Sequence, residues 1–222
     1  MEMAQRAGFA KVSERIGRHV SEDELLHELA GGEARIAMTA IEGIDLAGMS
    51  VDAATFEEVV FRSCTFDDVD FSRCGFTDVI FIDCRFVQSP MDRCWLNRCE
   101  FRSCSALGMQ FRKSRLTGVG IEDSQFRYAD FSDSTVERFR AAHTGFAESI
   151  WHGARPKRIS FDGCDLTKAE FFRTPLAGID VSTCEFSGVT VSSDFHELRG
   201  CIVSPQQAVE LSGLLGVTVR EA

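Results

Sequence analysis

Apolar residues recur every five positions in one unbroken frame from Ile36 to Val191. Phe56, Phe61, Phe66, Phe71, Phe76, Phe81 and Phe86 are seven consecutive beats. The frame continues through Met91, Leu96, Phe101, Ala106, Phe111, Leu116, Ile121, Phe126 and Phe131, and on to Trp151. Steps of five from 36 to 191 make 32 beats, of which only Pro156 is not apolar. Fifteen of the 19 phenylalanines fall on a beat, so the period is a property of order rather than of composition. A strand repeats every two residues and a helix every 3.6, and five fits neither. The pattern specifies a solenoid of five-residue units.

A second column lies two residues before each beat and holds small or β-branched side chains: Val59, Cys64, Val69, Cys74, Val79, Cys84, Ser89, Cys94. The other three positions of each unit are mostly Asp, Arg, Ser, Gly, Thr and Glu. Each unit therefore turns one large and one small group inward and a polar face outward.

This pattern resembles the pentapeptide repeat family over roughly residues 34–203. The resemblance implies an all-β fold, a right-handed four-sided β-helix with four units, or twenty residues, per coil. Thirty-two units make eight coils, and at about 4.8 Å per rung the shaft is roughly 38 Å long. Three regions follow: an N-terminal segment with a short capping helix (1–33), the β-helix (34–203), and a C-terminal capping helix and strand (204–222).

No apolar run approaches the roughly 20 residues of a transmembrane helix, and the first twenty residues lack a continuous apolar signal core. The expectation is a cytoplasmic protein with no membrane partner. Of nine cysteines, eight (Cys64, Cys74, Cys84, Cys94, Cys99, Cys104, Cys164, Cys184) occupy the small inward slot. Cys201 takes the same slot relative to Val203 after a two-residue frame shift. Interchange with Ser, Thr, Ala and Val marks these thiols as packing. No CxxC occurs, so no metal site is expected.

At the N-terminal end, Ser21 and Glu24 form a capping-box pattern. Leu25, Leu26 and Leu29 then give a short amphipathic helix stopped at Gly31-Gly32, a lid on the first coil. Residues 1–20 either extend that helix or are disordered. Near the other end the frame slips across Ser192–Glu197, and beats resume at Leu198 and Val203. Ser204-Pro205 reads as an N-cap with a first-turn proline. Gly216 closes the helix, and Val217–Val219 reads as a last strand. The stretch LRGCIVSPQQAVELSGLLGVTV resembles the C-terminal segment of Qnr-type quinolone-resistance proteins. That resemblance implies a homodimer, with Ala208, Leu211, Leu214 and Leu215 as the contact.

No catalytic constellation is present. The five histidines are scattered, and GxxxxGK[ST], GxGxxG and GxSxG are absent. The expectation is a non-enzymatic binding protein without a cofactor. The chain carries 24 basic and 34 acidic residues, net −10. The Qnr resemblance implies an acidic rod that imitates DNA, binds DNA gyrase or topoisomerase IV and protects it from quinolones, without contacting nucleic acid itself. The alternative is a scaffold solenoid with another protein partner. The column Arg73, Arg93, Lys113 is basic, and the frame carries no loop before residue 192. The coil from Val136 to Ser160 departs most from the rule. Phe139 fills a small slot, and Pro156 sits on a beat, where a bulge or bend is expected. Arg138, Arg140, Arg155, Lys157 and Arg158 around it form a candidate interaction patch.

Overall fold

The computed structural model describes residues 8–14, 16–30 and 33–220. Its strands are β1 (Arg35–Glu42), β2 (Asp45–Ser50), β3 (Thr55–Arg62), β4 (Thr65–Asp70), β5 (Gly75–Ile82), β6 (Arg85–Val87), β7 (Trp95–Arg102), β8 (Arg115–Glu122), β9 (Thr135–Ala142) and β10 (Arg155–Asp162). They form one parallel seven-stranded sheet, β1-β3-β5-β7-β8-β9-β10, and one three-stranded sheet, β2-β4-β6. Each residue pairs with the one twenty positions on, as Phe56 does with Phe76 and Phe61 with Phe81. Single bridges continue the second ladder beyond the strands. Asp45, Thr65, Arg85, Ser105, Gln125, Gly145, Asp165 and Glu185 make eight stacked positions. The architecture is a right-handed four-sided β-helix.

The five-residue period produces this shape through the corners. Two residues after a beat the backbone turns left-handed, at Glu58, Asp68, Arg73, Asp78 and Arg93 among many others. For a residue with a Cβ this conformation costs about 1 kcal/mol, and inward packing offsets it. Phe56, Phe61, Phe76, Phe81 and Phe101 are no more than 1% exposed. Their rings stack from coil to coil at 5.0 Å (Phe56–Phe76), 4.9 Å (Phe61–Phe81) and 4.8 Å (Phe81–Phe101), the spacing of the strands themselves. Each buried ring stabilises by about 1.5–3 kcal/mol.

The small slot does more than save space. Ser114 Oγ donates to the Met91 carbonyl at 2.8 Å and accepts the Cys94 N–H at 2.9 Å. Ser89 Oγ likewise accepts the Val69 N–H and donates to the Val87 carbonyl. The thiols copy the donor half: Cys74 Sγ lies 3.0 Å from the Val51 carbonyl and Cys94 Sγ 3.0 Å from that of Phe71. This is why Ser and Cys interchange along one column, since both supply a donor to a corner carbonyl of the coil before.

All nine cysteines are free, and eight are buried. Burial pushes the Cys74 and Cys99 thiols up to about 12 and Cys201 up to about 11. Cys184 moves the other way, because the Cys164 thiol one coil earlier donates to its sulfur. Cys104 is lowered in the same way by Cys84 but is fully buried, so access sets the order. A thiol reagent at neutral pH should label Cys184 first, then half-buried Cys201, slowed by its raised thiol, and the remaining seven only after denaturation. Mass spectrometry of partially labelled protein checks the order, and early labelling of Cys74 or Cys94 would contradict it.

Helices close both ends. α1 (Glu22–Leu29) starts in the expected capping box between Ser21 and Glu24. Leu25 and Leu29 are buried against the first coil, whereas Leu26 is exposed. Gly31-Gly32, the expected stop, lies outside the described residues. At the far end the two-residue slip is visible in the backbone. Asp180 bridges to Ile202 rather than to residue 200, and the left-handed corner falls at Phe195. Leu198, Cys201 and Val203 pack on the core from that shifted frame. α2 (Pro205–Ser212) begins in a second capping box, Ser204 with Gln207. Buried Gln207 Nε2 donates to the Val181 and Cys184 carbonyls at 2.9 and 2.7 Å and so closes the last coil. Gly216 takes the expected left-handed conformation. Val217–Val219, expected as a last strand, form none within the chain.

Pro156 produces no bulge. It sits in register opposite Val136, and β10 follows β9 residue for residue. The consequence falls on the next coil instead. Along this face the residue before each beat donates to the coil before, as Thr135 N–H does to Ser114 and Arg155 N–H to Ser134. Pro175 holds the next such position and has no N–H. Beat residues donate forward, as Phe126 N–H does to Gly145, and Pro156 lacks that donor. The two prolines, 19 positions apart, remove both donors across one step, and β10 becomes the edge of its sheet.

Candidate interaction surfaces

Residues 8–14 and 16–20 neither extend α1 nor lie apart from the shaft, and residues 1–7 and 15 lie outside the described residues. Arg18–Val20 pair with the open edge of β1: Ala40 N–H donates to the Arg18 carbonyl at 2.9 Å and Val20 N–H to that of Ala40 at 3.2 Å. The preceding residues form an irregular strap along the outside of the seven-stranded sheet. Lys11 N–H donates to Asp78 Oδ1 at 2.9 Å, and Ala10 N–H donates to Glu100 Oε1 at 2.8 Å. Glu14 pairs with Arg102. Phe9 lies against Gly118 and Gly120, with the Arg140 guanidinium 4.0 Å from its ring centroid.

The strap explains an outward column that the repeat rule leaves unexplained. Ala40, Val60 and Ile80 are apolar and no more than 2% exposed, yet they lie outside the interior stack. The matching column on the next face, Asp45, Thr65 and Arg85, is polar. Two carboxylates are buried beneath the strap, Asp78 (6% exposed) and Glu100 (5%). A buried carboxylate is costly unless paired. Arg98 Nε reaches Asp78 at 2.7 Å and Arg102 Nε reaches Glu100 at 2.8 Å. The signal was in the sequence, as a run of Ala, Val and Ile at positions 40, 60 and 80 where other units are polar.

The Arg98 hydrogen bond holds the Asp78 carboxyl below its ordinary value of 3.8, with burial opposing and the Lys11 amide assisting. A lowered carboxyl contributes stability above its unfolded value and loses it as pH falls through the folded one. Strap docking should thus be complete at neutral pH and weaken below about pH 3.8. The Lys11 amide shift in a two-dimensional spectrum should follow that titration, and Asp78→Asn should abolish the dependence. An acid titration unchanged in Asp78→Asn would disprove the role of this carboxylate.

The expected basic patch divides. Arg140 belongs to the strap contact. Arg138, Arg155 and Arg158 are exposed beside edge strand β10, and Lys157 pairs with Glu137 at 3.2 Å. Positive side chains along an open strand edge discourage pairing with another chain. That role accounts for their position next to the two prolines.

Charge separates by face. Between the Ile41 and Leu46 columns stand Glu42, Asp45, Asp83, Glu122, Asp123, Asp162, Asp165 and Glu185 against Arg62, Arg85 and Arg102. The next face is also acidic, with Asp67, Asp68, Asp70, Asp130, Glu148 and Glu170 against Arg127 and Lys168. Opposite the first, Arg73, Arg93, Arg112, Lys113, Arg115, Arg155 and Arg173 stand against Asp52, Asp92 and Asp133. Ion pairs Arg73–Asp52 and Arg112–Asp92 neutralise part of that basic face.

At the C-terminal end, Ala208, Leu214 and Leu215 are exposed, with Val209, Val217 and Val219 beside them. Leu211, grouped with them by helical periodicity, is half-buried against the shaft. Among the described residues no three metal-ligating side chains converge, and no helix is long and apolar enough to cross a membrane.

Comparison with known proteins agrees with the coil geometry. The family model described as "pentapeptide repeat region" matches residues 74–171. The shaft is a pentapeptide-repeat β-helix. A trypsin-treated variant of QnrB1, a plasmid-mediated fluoroquinolone resistance protein, is 22% identical over 82% of this chain and 100% of its own, with a TM-score of 0.49. A second trypsin-treated QnrB1 variant is 21% identical over 93% of this chain and 98% of its own, at 0.45. HetL, a pentapeptide repeat protein involved in heterocyst differentiation regulation in the cyanobacterium Nostoc, is 14% identical over 83% of this chain and 98% of its own, at 0.32. A search of curated proteins returned no match. Within the pentapeptide shaft the matched residues run from Cys74 through Phe171, so they span the strap's carboxylates, the glycines under Phe9 and the edge strand alike.

Proposed function

We propose that the protein is a non-enzymatic, cytoplasmic binding solenoid that acts on a protein partner, and that this partner is a type II topoisomerase, DNA gyrase or topoisomerase IV, engaged by partial DNA mimicry. The acidic face between the Ile41 and Leu46 columns carries the reading, with eight carboxylates against three guanidinium groups along the shaft. Duplex DNA presents about 22 charges over about 38 Å, so the imitation is sparse and weakens steeply with salt. The Qnr-like C-terminal segment supports the same partner. A supercoiling assay with and without ciprofloxacin, titrated with this protein, tests it. Neither inhibition nor protection at micromolar concentration would remove topoisomerase as the partner. The scaffold reading is favoured by the basic face opposite, which a DNA mimic does not need, and it would then stand.

The same proposal includes a homodimer through the C-terminal end, built on exposed Ala208, Leu214 and Leu215, with Leu211 supporting the helix from beneath. Light scattering should give twice the 24.6 kDa chain mass. Leu215→Glu should return the single-chain mass without changing the unfolding transition. A wild-type monomer at high concentration would refute the dimer.

A further inference from the structure

The groove beneath the strap is built to hold a polypeptide. Its walls present the Asp78 and Glu100 carboxylates to main-chain amides, and the buried apolar column Ala40, Val60 and Ile80 continues the same face toward the first coil, where Arg18–Val20 cover Ala40. At its upper end Gly118 and Gly120 leave a shelf on which an aromatic ring lies beneath Arg140. A Cβ at Gly8 would meet the Glu100 carboxylate, which would have to shift to admit it, so the site favours a small residue before the aromatic. A solenoid needs none of this to close, and the equivalent positions of the next face are polar and open to water. The occupant is held from the shaft side, with its outer side open to water. Phe9, Ala10, Val12 and Ile16 are only half-buried, Gly8, Lys11, Ser13 and Glu14 are exposed, and the segment has no helix or strand of its own.

We propose that this groove is a peptide-recognition site, that residues 8–14 occupy it in cis, and that a partner protein displaces them with a segment of the same chemistry. The recognised elements are a small residue, an aromatic on the glycine shelf, two main-chain amides for the carboxylates, and a basic residue following the aromatic, as Lys11 follows Phe9. The face itself sets the polarity: Glu57, Glu58 and Asp78 stand toward its first coils, and Arg138 and Arg158 toward its last, where Glu137 takes up Lys157. A bound segment thus runs with its basic, C-terminal part toward the first coils, and acidic residues before the aromatic strengthen it. The proposal rests on the shaft being a protein-binding solenoid only for the identity of the partner.

The test is fluorescence anisotropy with a labelled peptide of residues 8–18, titrated with the full chain. Phe9→Asp in the full chain prevents its own strap from seating, and should bind the wild-type peptide at least tenfold more tightly than the wild-type chain does. A peptide carrying Phe9→Ala should lose that binding, as should a full chain that adds Gly120→Leu to Phe9→Asp and so fills the shelf. Equal, weak binding by wild-type and Phe9→Asp chains, with the shaft's unfolding transition intact, would overturn the proposal. Phe9→Ala in the full chain serves if Phe9→Asp does not fold, with the same two outcomes. A chain that binds the peptide yet leaves topoisomerase untouched would keep the groove and lose only that partner.

Discussion

Replacing Phe81 by aspartate is expected to abolish cooperative folding. The ring is fully buried in mid-shaft and touches neighbours on every side: Phe61 at 4.9 Å, Phe101 at 4.8 Å, and Phe66, Phe76 and Phe86 edge-on within 6.4 Å. Truncation to alanine alone costs about 3–5 kcal/mol. An aspartate adds a buried charge without a partner, and that cost approaches the 5–15 kcal/mol by which a domain of this kind is stable. Each coil contacts only its neighbours, so a lesion at this level separates the stack into two halves that cannot support each other. Thermal unfolding followed by circular dichroism should lose its sharp transition. Phe172→Ala is the control, because Phe172 points outward and is 37% exposed, and it should change stability by no more than about 0.5 kcal/mol. A sharp transition in Phe81→Asp within a few degrees of wild type would refute the packing account.

Glu197→Ala is expected to lower the melting temperature by roughly 5–15 °C and to fray the last coil first. Glu197 is 2% exposed and is the acceptor that organises the frame slip. Its Oε1 accepts the Arg173 N–H at 2.7 Å and the Ser192 hydroxyl at 2.5 Å, and its Oε2 accepts the Ser192 N–H at 3.1 Å. Alanine removes three part-buried hydrogen bonds at once, at about 1 kcal/mol or more each because the acceptor is charged. Hydrogen exchange should accelerate at Arg173 and Ser192 before any amide of β3 or β5. Unchanged melting and unchanged protection at Arg173 would show that the carboxylate is dispensable.

The candidate surfaces were unequally legible. The exposed C-terminal apolar set was visible as helical spacing, but not that Leu211 turns inward. Periodicity assigns a face without saying which part of that face the shaft already covers. The cluster from Arg138 to Arg158 was visible as charge, but its two roles were not. Arg140 holds Phe9, 131 positions away in the chain, and the others flank an edge created by prolines 19 residues apart. Glu197 gave no signal at all, because its partners are Arg173, 24 positions earlier, and Ser192 at the start of the irregular turn.

The shaft itself was determined by the sequence alone. A strict five-residue period requires a solenoid with a corner every five residues; that four units close a coil was implied by the family resemblance and is shown by the pairing of each residue with the one twenty positions on. The Ser21–Glu24 capping box, the Ser204 N-cap, the slip after Val191 and the inward thiols follow from rules acting over a few residues. What only the tertiary structure decided was what happens outside the period. The strap runs across four strands, and its contacts join residues 67 to 131 positions apart. No local rule links a glycine shelf at 118 and 120 to a phenylalanine at 9. Coil stacking brings them together, because it converts a separation of twenty residues in sequence into about 4.8 Å in space.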